Sequence, residues 1–214
     1  MAVVQNPITG RSRNSYASAI FQTWKGKNVL RAKPLTVANP RTVGQQLQRM
    51  KLAMMVFFYR QIAGVIKIGY KGQAVGQSEY NAFASEALRN AFTGSTPENA
   101  EWDFSKLLVS KGTISPTTIS GVSANSEEYT VTWPSTATMP GQSVSDKAVV
   151  VIGENDSNGQ FLDAVGFVTE ATRGDGSVTV DATGTVIGVG GQVAWLFFVN
   201  DDGEVSDSDF HEFV

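Results

Sequence analysis

The side chains whose type and spacing could do chemistry are concentrated in one basic run. Between Thr23 and Met54, TWKGKNVLRAKPLTVANPRTVGQQLQRMKLAM holds seven Lys or Arg and no acid. Trp24, Lys25, Lys27, Arg31 and Lys33 gather around a Lys25-Gly26 turn, and Arg41, Gln45 and Arg49 follow in and after NPRT. With Gln46 and Gln48 they predict one continuous basic and polar surface, able to hold phosphates or carboxylates through charge-assisted hydrogen bonds. Solvated faces ordinarily mix both signs of charge. Here residues 1–72 contain 12 of the 17 basic residues and none of the 20 acids, so that segment is +12 and residues 73–214 are 5 − 20 = −15. The net charge of −3 is thus the sum of two opposed parts. Such a split points to nucleic acid, to an acidic protein surface, or to head-to-tail contact between copies of the chain.

Catalytic residue types are scarce. Without cysteine there is no disulfide framework, thiolate metal site or thiol nucleophile. His211 is the single histidine and sits near the end of the sequence, so a Ser-His-Asp triad or His-based metal site would depend on it alone. It reads as a solvated or interface residue. GVGGQV at 188–193 has Val193 where a dinucleotide fingerprint has its third glycine, and no helical pattern follows. The acids of NDDGEVSDSD, at 201, 202, 204, 207 and 209, miss the spacing of an EF-hand calcium loop and read as an acidic edge. Arg173-Gly174-Asp175 spells an adhesion tripeptide but lies between two β-patterned runs, where a plain turn is expected; Asn155-Asp156-Ser157 matches a glycosylation acceptor only formally. No reaction class, cofactor or metal is supported, and a non-enzyme is expected.

The elements that would carry the basic residues are legible from periodicity. AIFQTW and KNVLRAK predict a hairpin over residues 19–33. Asn39-Pro40 is a good helix start. Val43, Leu47, Met50, Met54, Phe57, Phe58 and Ile62 then mark one face of a helix of about 24 residues, ended by Ala63-Gly64, with Phe57 and Phe58 both on the buried side. A second helix opens at Ser78, places Tyr80, Phe83, Ala84, Ala87, Leu88 and Ala91 on one face, and stops at Gly94. Trp102 to Gly112 predicts a strand leaving this helical part.

Beyond Ser115 the pattern alternates. In EEYTVTW, Tyr129, Val131 and Trp133 share a face; KAVVVIG and FLDAVGFVTEA flank an Asn158-Gly159 turn; SVTVDA and QVAWLFFVN follow. Six or seven short strands predict an immunoglobulin-like sandwich. The fold class expected is therefore α+β: a β-hairpin plus two helices over 1–114, then an Ig-like β-sandwich over 115–214. VAWLFFV is apolar on both faces, which predicts a central strand or one covered by a partner. The longest apolar run, Leu52 to Phe58, is too short to cross a bilayer, and MAVVQNPITGRSRNS has no signal-peptide core, so no membrane partner and synthesis in the cytoplasm are expected.

NPITGRSRNS, F-x-T-W-K-G-K-N-V-L-R-x-K-P, V-A-N-P-R-T-x-x-Q, YNAF, KLLVSKG and LFFVNDDGEVSDS resemble an uncharacterised protein family found in Bacteroidetes and in the bacteriophages that infect them. The resemblance covers essentially the whole chain, with Trp24, Gly26, Arg31, Pro34, Asn39, Pro40 and Arg41 among the matching positions. It implies a structural virion component, oligomeric, of the ring, neck or tail region, and supplies no catalytic residues. The implied partners are copies of the chain and other virion proteins, and the implied location is the virion. The alternative is a nucleic-acid-binding protein that sets residues 11–60 on phosphates. Trp24 is the sole aromatic among the hairpin's basic residues, which argues against single-strand stacking.

Overall fold

The computed structural model describes residues 2–4, 14–16, 18–24, 27–36, 39–155, 161–187 and 192–213. The chain forms two compact units, Met1–Arg41 and Thr42–Val214. It divides ahead of the first helix, whereas a boundary at 114/115 was expected, and the reason is that the helices and the C-terminal strands share one hydrophobic core.

The first unit is an antiparallel sheet of β1 (Ala2–Val4), β2 (Asn14–Tyr16), β3 (Ala19–Trp24) and β4 (Lys27–Ala32) in the order β1-β4-β3-β2. The expected hairpin is β3 and β4, with Phe21 opposite Leu30 and Trp24 opposite Lys27. Its Lys25-Gly26 turn lies outside the described residues. Val29 is buried, whereas Leu35 is 98% exposed. The amide of Lys33 donates to the Ser18 carbonyl at 2.7 Å and closes the open end of the hairpin.

The second unit opens on α1 (Val43–Gln61). Its N-cap is Thr42, whose hydroxyl accepts from the Gln45 amide, rather than Asn39. The helix is shorter than expected. It ends at Ile62, whose backbone (φ −119°, ψ 28°) leaves the helical region, and α2 (Ala63–Gly69) sets off at 93° to it. Among the described residues no single helix is long and apolar enough to cross a membrane. Met55, Phe58 and Ile62 form the buried strip of α1. Phe57, expected beside Phe58, is 49% exposed. Adjacent helical residues point about 100° apart, so one phenylalanine faces the core and the other turns outward. Val43 and Met50, fourteen and seven residues before Phe57, are exposed with it. The second helix is α3 (Glu79–Asn90), capped by Ser78 as expected, with Phe83, Ala84 and Ala87 buried.

β5 (Phe92–Thr93) and β6 (Glu101–Trp102) form a short ladder. The long strand expected over Trp102 to Gly112 is instead β6, a 3-10 turn at Phe104–Lys106 and an extended, tethered segment. Tyr70 donates to the Leu108 carbonyl at 2.9 Å, Trp195 Nε1 to Leu107 at 3.1 Å, and the Lys111 amide to Gly69 at 3.0 Å. A Cβ at Gly112 would lie 1.8 Å from the Val205 carbonyl oxygen, so only glycine permits this approach.

The remaining strands are β7 (Gly121–Asn125), β8 (Glu128–Thr132), β9 (Lys147–Asn155), β10 (Phe161–Thr172), β11 (Ser177–Asp181), β12 (Val193–Val199) and β13 (Asp209–Glu212). They make two antiparallel sheets, β10-β9-β12-β13 and β11-β8-β7. The Asn158-Gly159 turn falls outside the described residues.

Alternation decides the packing. Val149, Val151, Val193, Trp195 and Phe197 belong to the core shared with the helices, while Ala148, Val150, Ile152, Ala194, Leu196 and Phe198 belong to the core shared with Tyr129, Val131 and Trp133 of β8. With a side-chain period of two, each strand feeds both cores. VAWLFFV is apolar on both faces because helices cover one and the second sheet covers the other. The central strand is covered by its own chain. Phe58 anchors the helical side, its ring 4.9 to 6.1 Å from those of Phe83, Trp102, Phe161 and Trp195. The overall class is mixed α and β.

Candidate functional site

The basic residues divide between the two units. In the first, Lys27, Arg31 and Lys33 have the same strand parity, so they share a face of β4 and its continuation, and all three are exposed. Trp24 pairs with Lys27 at the closed end of the hairpin, and Lys25 lies outside the described residues. Arg41 is exposed, with left-handed backbone (φ 48°) immediately before the Thr42 cap. In the second unit, Gln45 and Arg49 are exposed on α1. The sequence-expected set is thus gathered in part: three cations share one face of a sheet, and Gln45 and Arg49 lie one turn apart on a helix.

Ion pairing separates these cations from those that follow. Among the described residues, Lys106 pairs with Asp103, Lys111 with Glu86, Lys147 with Glu170 and Arg173 with Asp146, so four of the five basic residues beyond position 72 have an acidic partner. Lys27, Arg31, Lys33 and Arg41 enter no ion pair among the described residues. The outer side of α1 adds an apolar groove of 470 Å³ walled by Leu52, Ala53, Val56 and Phe57 and flanked by Arg49 and Arg60. Charge next to exposed apolar surface is the composition of a protein-binding face.

A second concave feature lies in the acidic part. A cleft of 280 Å³ opens between β6, the turn that follows it, and the ends of β9, β12 and β13; Trp102, Phe104 and Phe210 line it with Asp103, Asn155 and Glu212. Trp102 is stacked on Phe92 with ring centroids 4.1 Å apart, and Phe210 lies 5.5 Å from Trp195, so core packing holds both rings in place. Hydrogen bonds from Lys106 and Ser105 hold the Asp103 carboxyl below its ordinary pKa, and it is ionised at neutral pH. Asn155 is 8% exposed, and its Oδ1 has no hydrogen-bond partner among the described residues. In sequence only the adjacent Trp102, Asp103 and Phe104 could have drawn notice. Residues 155, 210 and 212 join them through sheet pairing.

The residues set aside in the sequence have plain places. Arg173-Gly174-Asp175 is a 3-10 turn between β10 and β11, and its arginine is fully buried. Arg173 Nε and Nη2 donate to Asp146 Oδ2 at 3.3 and 3.2 Å, Nη1 donates to the Thr117 hydroxyl, and the guanidinium lies 3.9 Å from the Phe198 ring centre. Burial draws its pKa down while Asp146 opposes the shift; an arginine this basic keeps its charge. His211 is opposite Ala194 in β13, and Asn155 ends β9. Of GVGGQV, residues 188–191 lie outside the described residues. Among the described residues no group of three or more His, Asp or Glu could hold a metal ion.

No curated protein and no solved structure matches the chain. A family model does, over residues 11–211, and the chain belongs to that family, a family of unknown function designated DUF6266.

Proposed function

We propose that this chain is a non-enzymatic structural protein of a bacteriophage virion, an oligomeric ring, neck or tail-region component that assembles through its basic N-terminal arm. The observation that carries the reading is the exposed set Lys27, Arg31, Lys33 and Arg41, without intrachain ion pairs among the described residues, in a segment that contains no acid. The rest of the chain is −15, so one copy's arm and another copy's body are complementary. Such contact is head-to-tail, and head-to-tail contact closes rings or propagates filaments. The groove on α1 offers apolar area beside the arginines.

The C-terminal sandwich is read here as Ig-like. Lettered A, B, C, C′, E, F and G in chain order, β7 to β13 give sheets A-B-E and C′-C-F-G, the distribution of Ig-type sandwiches whose C′ strand joins the G-F-C sheet. That scaffold serves recognition and assembly in many contexts, which is an analogy of architecture.

Mass measurement of the purified protein by light scattering tests the proposal. A multiple of 22.9 kDa that falls as salt is raised is expected, because exposed charge contacts are screened. A 22.9 kDa species at every concentration and ionic strength would remove self-assembly. Duplex DNA should bind no tighter than the non-specific range of about 10⁻⁴ to 10⁻⁶ M at physiological salt. Nanomolar affinity would favour nucleic acid as the arm's partner.

A further inference from the structure

The cleft beside β6 has no cationic side chain in its lining and holds several acceptors. Asp103 and Glu212 bring carboxylates, and Asn155 brings an acceptor without a partner among the described residues. Trp102, Phe104 and Phe210 bring aromatic surface, with the rings of Trp102 and Phe104 nearly parallel at 18°. A buried acceptor without a donor is unfavourable, and a donor entering from the cleft would relieve it. The group that meets aromatic faces and several acceptors at once is a planar cation with many N–H bonds, a guanidinium. The volume, 280 Å³, lies just under the ~300–1,000 Å³ usual for small-molecule sites and suits one long side chain.

We propose that this cleft receives an arginine side chain from the basic arm, residues 27–41, of a second copy of the chain. The inference rests on the assembly reading above and names its contact. Arg31 and Arg41 are the two arginines of that segment, both exposed and neither in an ion pair among the described residues. The arm cannot answer its own charge, since it has no acid, and the cleft belongs to the part of the chain that carries every carboxylate. Lys106 meets Asp103 at 2.5 Å but is not among the residues that line the cleft.

The test titrates full-length protein with a synthetic peptide of residues 27–41, KNVLRAKPLTVANPR, followed by calorimetry. Saturable binding is expected, and the Asp103→Asn/Glu212→Gln variant should bind at least tenfold more weakly. A charge-matched control, Glu128→Gln/Asp202→Asn, changes acids that do not line the cleft and should stay within about twofold of the unaltered protein. A peptide with Arg31→Lys and Arg41→Lys keeps its charge and should still lose at least fivefold, because an ammonium neither stacks nor forks. Glu212→Lys, at an exposed strand position, gives an independent block of the cleft, and thermal midpoints confirm that each variant is folded. Equal losses in the two double variants, full affinity in both cleft variants, or an unchanged lysine peptide would each overturn the proposal. Mass measurements distinguish it from the assembly reading: an oligomer that survives both cleft variants overturns the cleft and leaves assembly standing. A monomeric protein that still binds the peptide through the cleft removes self-assembly and, with it, a second copy as the source of the arginine.

Discussion

Arg173 and Phe58 show how one residue can hold an element in place, while Arg31 and Phe57, of the same types, do not. Arg173 is fully buried against Asp146, Thr117 and Phe198, so Arg173→Ala strands a buried carboxylate and should lower unfolding free energy by about 3–5 kcal/mol in urea titrations. Phe58→Ala empties the centre of the aromatic cluster and should cost a similar 3–5 kcal/mol. Phe57→Ala, half-exposed, should cost well under half as much. Equal losses would mean that α1 turns a different face to the sheet. Tyr70 adds a pH signature. Burial, then the neighbouring Glu86 and Asp207, raises its phenol pKa far above the ordinary value. Unfolded tyrosine releases its proton near pH 10, whereas the folded residue keeps it. Its stabilising effect is therefore full below about pH 10 and declines as pH rises beyond it, by up to about 1.4 kcal/mol per pH unit. Stability curves from pH 9 to 12 should be visibly flatter for Tyr70→Phe, at the expense of about 1 kcal/mol at neutral pH from the lost bond to Leu108.

At the level of elements, the tethered segment after β6 makes a close backbone approach at Gly112. Gly112→Ala pushes a methyl group into the Val205 carbonyl, which belongs to backbone and cannot rotate away. A loss of about 1–3 kcal/mol or more is expected. Gly72→Ala, where a Cβ would meet nothing within 4 Å, should be nearly neutral. Differential melts of the two variants check this, and equal midpoints would show that the segment shifts freely. Much at this scale was legible in the residues. The β3–β4 hairpin, the Ser78 cap and the inward set Tyr129, Val131 and Trp133 follow from turn chemistry and period-two alternation. The 93° break at Ile62 was not, because Ala63-Gly64 is compatible with either a stop or a bend. Only contact with β10 selects the bend: Gly166 leaves room where a Cβ would come within 2.3 Å of the Val65 side chain on α2.

For the whole molecule, the division at Arg41 makes a sharp expectation. Every residue of the two hydrophobic cores lies in Thr42–Val214. A chain lacking residues 1–41 should keep its thermal midpoint within a few degrees and lose assembly. Arg31→Ala/Arg41→Ala should do the same more gently, since exposed charges remote from a core seldom shift stability by more than about 0.5 kcal/mol. Light scattering and calorimetry on the same samples read both quantities. A large fall in midpoint for the arginine pair would make these residues part of the fold's own framework.

The residues taken alone settle whatever depends on local spacing or simple counting. The separation of +12 from −15 is such a property, because charge sums require no fold, and so are the caps and the alternating strands. The double apolarity of VAWLFFV likewise announces that both faces of β12 must be covered. What covers them is decided only in three dimensions. A run of apolar side chains has the same pattern whether a helix, a second sheet or another molecule lies against it, and the choice of α1, α2 and α3 for one face and β7, β8 and β11 for the other comes from long-range packing. Arg173 is hidden in the sequence for a related reason. A turn tripeptide reads as solvent-exposed until Asp146 and Phe198, distant in sequence, close over it. The cleft depends most on tertiary structure, since positions 102–104, 155 and 210–212 share no local pattern and meet only because β12 holds β9 on one side and β13 on the other.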